Sequence, residues 1–93
     1  MNEDAMQPFT IDEAEVYPAT HHFRIIITAG SASRGAIEAL LADFTVASPL
    51  QAGHASAGGR YQSLQVAVHL PCRADHLRLD QALRAIKGVR ILL

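Results

Sequence analysis

The stretch Tyr61-Gln62-Ser63-Leu64-Gln65-Val66-Ala67-Val68-His69-Leu70 sets Leu64, Val66, Val68 and Leu70 against Ser63, Gln65, Ala67 and His69. Unbroken alternation over this length marks a half-buried β-strand, because successive side chains leave a strand on opposite faces. Pro71 ends the run, since proline has no N–H to give to a ladder. Just before it, Ala57-Gly58-Gly59-Arg60 reads as a turn, and paired glycines suit the positive φ values of hairpins. A partner strand is therefore expected in residues 45–56, where Pro49 confines it to a sheet edge.

Further upstream, residues 22–30 read as a strand with Phe23, Ile25 and Ile27 on one face and Arg24, Ile26 and Thr28 on the other. One face is wholly apolar and the other mixed, as suits a central strand. Gly30 breaks the strand, and Ser31 or Ser33 is placed to cap a helix after it. Over residues 34–44, Ile37, Leu40, Leu41 and Phe44 recur at i, i+3, i+4 and i+7, which predicts that helix to be amphipathic. Gly35 near its start costs about 1 kcal/mol against alanine. Downstream of Pro71 the spacing of Leu79, Ala82, Leu83 and Ile86 predicts a second helix over 75–87. Gly88 falls at its expected C′ position, and residues 89–93 form a last short strand. The order is strand, helix, strand, strand, helix, strand. Two βαβ halves joined by a hairpin give an α+β, ferredoxin-like βαββαβ sandwich: a four-stranded antiparallel sheet, two helices on one face, the other face open. The first and third strands are then central, the second and fourth edges.

Composition fits one small domain. Of the 93 residues 49% are hydrophobic, but sixteen are alanine and tryptophan is absent, so the core is modest. The single cysteine, Cys72, excludes an intramolecular disulfide and points to a reducing compartment. No apolar run approaches the ~18–20 residues of a membrane span. The start Met1-Asn2-Glu3-Asp4 lacks a signal peptide's basic region, so a cytoplasmic protein without membrane contact is expected. The formal charge of −1 conceals an asymmetry. Residues 1–15 carry Glu3, Asp4, Asp12, Glu13 and Glu15 with no base, leaving four acids and eight bases for residues 16–93. Residues 1–15 are therefore read as an acidic, flexible extension, with Thr10-Ile11-Asp12-Glu13 fitting a capping box, and residues 16–93 as the folded domain.

Chemistry-bearing motifs are sparse. His69, Cys72 and His76 place two imidazoles and a thiol within eight residues, and Asp75 offers a fourth ligand. No second Cys/His pair supports a metal, so none is assigned. Cys72 precedes a helix and is followed by Arg73, both of which favour a thiolate. No Cys-His-Asn spacing or partner cysteine accompanies it, and no catalytic residue is assigned. Residues 53–59 lack the Gly-Lys-Ser/Thr ending of a P-loop, and no motif calls for a cofactor. RNA-recognition domains share this fold and stack bases on aromatics of the central strands. Here only Tyr61 has the outward parity, and Arg34, Arg73, Arg78 and Arg84 read as helix surface. RNA binding is the alternative function, not the leading one.

Four pieces of the chain resemble the YbeD-like family of small bacterial proteins of unassigned function. They are Val16-Tyr17-Pro18, Phe23-Arg24-Ile25-Ile26-Ile27, Ser56-Ala57-Gly58-Gly59-Arg60-Tyr61-Gln62-Ser63 and Val89-Arg90-Ile91-Leu92. That family usually has Phe-Pro where this chain has Tyr17-Pro18, and a lysine where this chain has Gly58. The resemblance, spanning about residues 14–93, implies a ferredoxin-like, ACT-like fold and a regulatory label linked to lipoate metabolism. ACT-like domains pair through their sheets and bind small effectors. The expected function is accordingly a non-enzymatic regulatory or interaction domain acting through its open sheet face. Its partner would be a protein or a small-molecule effector, with a homodimer open. The candidate surface comprises Tyr17, Pro18, Ile26, Gly59, Tyr61, Ser63, Gln65 and His69.

Deleting residues 1–13 is expected to change stability by no more than about 0.5 kcal/mol, the range of surface changes. Thermal denaturation of the shortened chain checks this, and a loss of several kcal/mol contradicts it.

Overall fold

The computed structural model describes residues 16–93. Six elements run in the expected order: β1 (Ala19–Thr28), α1 (Ser33–Leu41), β2 (Thr45–Ala55), β3 (Tyr61–Leu70), α2 (Arg73–Ala85) and β4 (Val89–Leu92). The strands form one antiparallel sheet in the order β2-β3-β1-β4, so β1 and β3 are central. This is the α+β, ferredoxin-like arrangement predicted. The capping box at Thr10–Glu13 and the proposed extension lie outside the described residues.

The core follows from the alternation of the two central strands. Phe23, Ile25 and Ile27 of β1 and Leu64, Val66, Val68 and Leu70 of β3 are all buried. Their register places Ile25 opposite Leu64 and Phe23 opposite Val66, so apolar rungs align on one face. Ile37 and Leu41 of α1 and Leu79 and Leu83 of α2 close over that face, with Leu92 added from β4. Each such side chain contributes roughly 1.5–3 kcal/mol on burial.

The edge strand β2 contributes only Leu50 to this core. Three register shifts interrupt its pairing with β3, between Val46 and Ser48, Ser48 and Gln51, and Ala52 and Ala55. At each, β2 has one residue more than its partner, so its parity changes along its length. Pro49 sits within the second shift, where its missing N–H costs no ladder bond. Bulges of this kind also discourage a second chain from pairing on the edge.

Several boundaries differ from expectation for identifiable reasons. β1 begins at Ala19 rather than at residue 22, because Ala19, Thr20 and His21 pair with Leu70, His69 and Val68. α1 ends at Leu41 rather than at residue 44. Beyond it the amides of Ala42, Asp43 and Phe44 donate to Ala39, Leu40 and Leu41, a tightened i→i+3 turn that still packs Phe44 against the core. α2 spans Arg73–Ala85, two residues earlier than predicted, and stops where Ile86 turns extended at ψ 126°. Of the hairpin glycines only Gly59 takes a positive φ, 71°, and its amide donates to Ser56 O at 2.9 Å.

The two serines expected to cap α1 do something else. The cap position falls on Ala32, which has no polar side chain to offer. Ser31 Oγ donates to Thr28 O at 2.6 Å, and Ser33 Oγ donates to Lys87 O at 2.8 Å. The two hydroxyls lie 2.7 Å apart, and Ser33 is buried. They bind the start of α1 to the turn between α2 and β4. That close approach is possible because residue 88 is glycine: φ is 98°, and a Cβ there would lie 2.0 Å from Ser33 Oγ.

Gly88→Ala is therefore expected to cost clearly more stability than Gly30→Ala, measured by chemical denaturation. Gly30 also has a positive φ, 75°, but a methyl group there would meet nothing within 4 Å, so it carries only the left-handed penalty of about 1–2 kcal/mol. Equal losses would contradict the Ser33–Gly88 contact.

Candidate functional site

The face of the sheet away from the helices is built by the other half of each alternation. On β1 it carries His22, Arg24 and Ile26, and on β3 Tyr61, Ser63, Gln65, Ala67 and His69. Ile26 stands between Ser63 and Ile91, while Arg24 stands opposite Gln65 and exchanges both backbone hydrogen bonds with Leu93. Ile91 is 50% exposed and Leu93 67%, the two most exposed large apolar side chains among the described residues. The sheet face thus extends an apolar margin along β4.

Two adjoining hollows mark this face. One, of about 500 Å³, has Ala67 at its floor, with Ser48, Gln51, Gln65, Arg24 and Leu93 around it. The other, of about 390 Å³, is lined by Ile26, Tyr61, Ser63, Gln65, Arg24 and His54. Arg24 and Gln65 belong to both. Four of the predicted surface residues, Ile26, Tyr61, Ser63 and Gln65, are therefore brought together in a single depression. His69 lies on the same face, between Thr20 and Thr45, but lines neither hollow. Gly59 is at the exposed tip of the hairpin. Arg24, Ile91 and Leu93 join the face without having been expected in the candidate surface. The outward parity of Arg24 is readable in the sequence, whereas the facing of the last strand depends on its register with β1.

Tyr17 does not join this surface, and Pro18 is exposed and lines neither hollow. Tyr17 packs on the opposite, helix-covered side, beside a cis Tyr17–Pro18 peptide. Its ring stacks on His21 at 5.2 Å, and its hydroxyl is hydrogen-bonded to His76 Nδ1 at 2.5 Å. The His21 and His76 rings are 4.8 Å apart, and Phe23 meets His76 edge-on at 5.6 Å. Here His21 shares the parity of Phe23, which the earlier start of β1 imposes. Tyr17 thus anchors the chain's entry to the core.

The same corner decides the fate of the His69, Cys72 and His76 spacing. His76 is the Tyr17 partner on α2, Cys72 is the half-buried free thiol at the N-cap of α2, and His69 belongs to the open face. Among the described residues no three His, Cys, Asp or Glu side chains are grouped as metal ligands. Burial holds the His76 imidazole below its usual value of 6.5; nearby His21 pushes the same way, and Asp80 opposes them. His21 Nε2 is buried without a hydrogen-bond partner among the described residues.

Three of the helix arginines, Arg34, Arg78 and Arg84, are engaged away from the open face. Arg78 pairs with Asp75 at 3.4 Å and lies 4.5 Å over the Phe44 ring, while Arg84 pairs with Asp80 at 2.9 Å. Arg34 reaches Leu50 O at 3.5 Å. They form no basic continuation of the sheet face.

Comparison with known proteins gives three findings. A family described as "Protein of unknown function (DUF493)" matches residues 12–93. Two solution structures of the protein HP0495 from Helicobacter pylori are similar in fold. One is 19% identical with a TM-score of 0.68, covering 100% of this chain and 94% of that one. The other is 17% identical with a TM-score of 0.61, covering 83% of this chain and 87% of that one. At these identities the likeness concerns the fold. Nothing among the curated proteins matches the chain.

The depressed His76 value fixes the sign of a pH effect. Below about pH 6.5 the unfolded chain takes up a proton that the folded one resists, so stability due to this group is full at neutral pH and is lost on acidification. Stability is expected to fall from about pH 7 to about pH 5.5, and His76→Gln is expected to flatten part of that slope. Denaturation curves at several pH values check this; an unchanged slope in the variant contradicts it.

Proposed function

The chain belongs to the DUF493 family, whose function is unknown, and we propose that it is a non-enzymatic regulatory or interaction domain that binds through its open sheet face. The observation that carries this reading is the pair of adjoining hollows on that face, joined at Arg24 and Gln65 and flanked by exposed Ile91 and Leu93. Concave sites with a few convergent polar groups on partly apolar walls are the usual form of small-molecule sites. The YbeD-like resemblance is consistent with the family and adds the ACT-like expectation of a small effector. The link to lipoate metabolism is carried by the resemblance alone. No helix among the described residues is long and apolar enough to cross a membrane.

The nucleic-acid alternative has one observation in its favour, the presence of Tyr61 and Arg24 on the central strands around one hollow. Against it, the described aromatics Tyr17, Phe23 and Phe44 all pack on the helix side.

A thermal-shift screen of small metabolites, with single-stranded RNA included, tests the reading. A ligand at 100 times its Kd is expected to add about 2.7 kcal/mol to the native chain. That gain should fall in Gln65→Trp, whose indole crowds the junction of the two hollows, and persist in Glu38→Gln on the exposed face of α1. Stabilisation undiminished in Gln65→Trp contradicts binding at the open face.

A further inference from the structure

The two edges of the sheet are unlike. β2 is interrupted by three register shifts and holds Pro49, features that keep a further strand from pairing with it. Along β4 the one irregularity falls between Ile26 and Ile27 of β1, so Ile91, Leu92 and Leu93 lie regularly beside Ile26, Ile25 and Arg24. Among the described residues no strand pairs with the outer side of β4.

The ladder decides which backbone groups that outer side presents. Arg24 and Leu93 exchange both backbone hydrogen bonds, at 3.1 and 2.8 Å. In an antiparallel ladder such pairs alternate with pairs that make none, so Leu92, opposite Ile25, turns its N–H and C=O away from β1. Flanking Leu92 are Ile91 and Leu93, 50% and 67% exposed, both on the open face. One donor and one acceptor on a single residue, between two exposed apolar side chains, match an inverted copy of themselves. With a two-fold axis beside Leu92, each Leu92 N–H donates to the other copy's Leu92 C=O, and Ile91 falls opposite the partner's Leu93.

Charge does not oppose this register. Arg90 lies two residues from the axis, so it is separated from its copy by about 13 Å along the ladder, beyond the Debye length of about 10 Å at 0.1 M salt. A carboxylate at Leu93 and its copy point to opposite ends of the paired segment, each on the strand beside Arg24 of its own chain.

We propose that the β4 edge pairs with the β4 edge of a second copy, joining two sheets into one of eight strands with Ile91 against the partner's Leu93. The paired segment is short and covers less than the roughly 800 Å² per partner of a standard interface, so the dimer is weak, with a Kd of about 0.1–1 mM. At low micromolar concentration the chain is then monomeric, and Ile91 and Leu93 meet water. Leu93 also lines the larger hollow, so pairing brings the partner's Ile91 to its rim. Pairing at this edge is independent of effector binding on the open face, and either can be lost without the other.

Diffusion of the full chain, followed by NMR from low micromolar to low millimolar concentration, tests this. The expected result is a fall toward the value of a dimer, with amide shifts at Ile91, Leu92 and Leu93. Mixing isotope-labelled with unlabelled chains should show contacts between Ile91 of one copy and Leu93 of the other. Ile91→Lys and Leu93→Lys should each weaken association about tenfold. Leu77→Lys, at a side chain 48% exposed on α2, should leave it unchanged. Diffusion that stays at the monomer value throughout overturns the inference and leaves the edge to a strand of another protein. Association that survives both β4 substitutions, or contacts between copies through α1 and α2, overturns it as well. Effector binding is read separately, by the metabolite screen on the monomer.

Discussion

The pairing of β1 with β3 is the interaction on which the rest of the molecule depends. It sets Ile25 against Leu64 and Phe23 against Val66, so that two apolar alternations fall on the same side of the sheet. A slip of one residue would send every one of those side chains to the other face. With the register as it is, α1 and α2 have one surface on which to place Ile37, Leu41, Leu79 and Leu83, and they take the same side. The opposite face receives what alternation leaves over: Arg24, Ile26, Ser63, Gln65 and His69. The candidate site is thus the complement of the core, generated by the same period of two.

How much of this is legible in the chain depends on how far local pattern decides. β3 shows its bounds without ambiguity because its alternation never breaks between Tyr61 and Leu70. The central positions of β1 and β3 follow from their apolar density, and the edge position of β2 from Pro49. The faces of β2 are not legible, since three bulges change its parity and no sequence pattern announces them. β4, with four residues, is too short for alternation to assign its sides. Ile91 and Leu93 are exposed because they stand beside Ile26 and Arg24, a fact of register. Tyr17 departs from expectation for a related reason. Its aromatic-proline signal marks an entry to the sheet but carries no information on side, and the extra pairing of Ala19–His21 with β3 turns it toward α2.

The two sides of the sheet have separate roles. The serine contacts at Gly88 and the Tyr17, His21 and His76 corner join loops and termini of elements to one another, and both lie with the core. They explain polar residues that the sequence alone offers as caps or metal ligands. Tyr17 and His76 serve the packing of the β1 entry against α2, on the side away from the candidate site. There Arg24 is the arginine common to both hollows, while on α2 Arg78 and Arg84 pair with Asp75 and Asp80. The acids of residues 1–15 make the whole chain nearly neutral and so hide this division.

The central claim is that one sheet face is sealed by the core and the other meets solvent. A neutral soluble nitroxide added to the full chain, with methyl NMR signals followed one by one, tests it most directly. The account predicts that the methyls of Ile26, Ile91 and Leu93 broaden strongly while those of Ile25, Ile27 and Leu64 stay sharp. Equal protection of Ile26, Ile91 and Leu93 would contradict it, because the face assigned to binding would then already be covered.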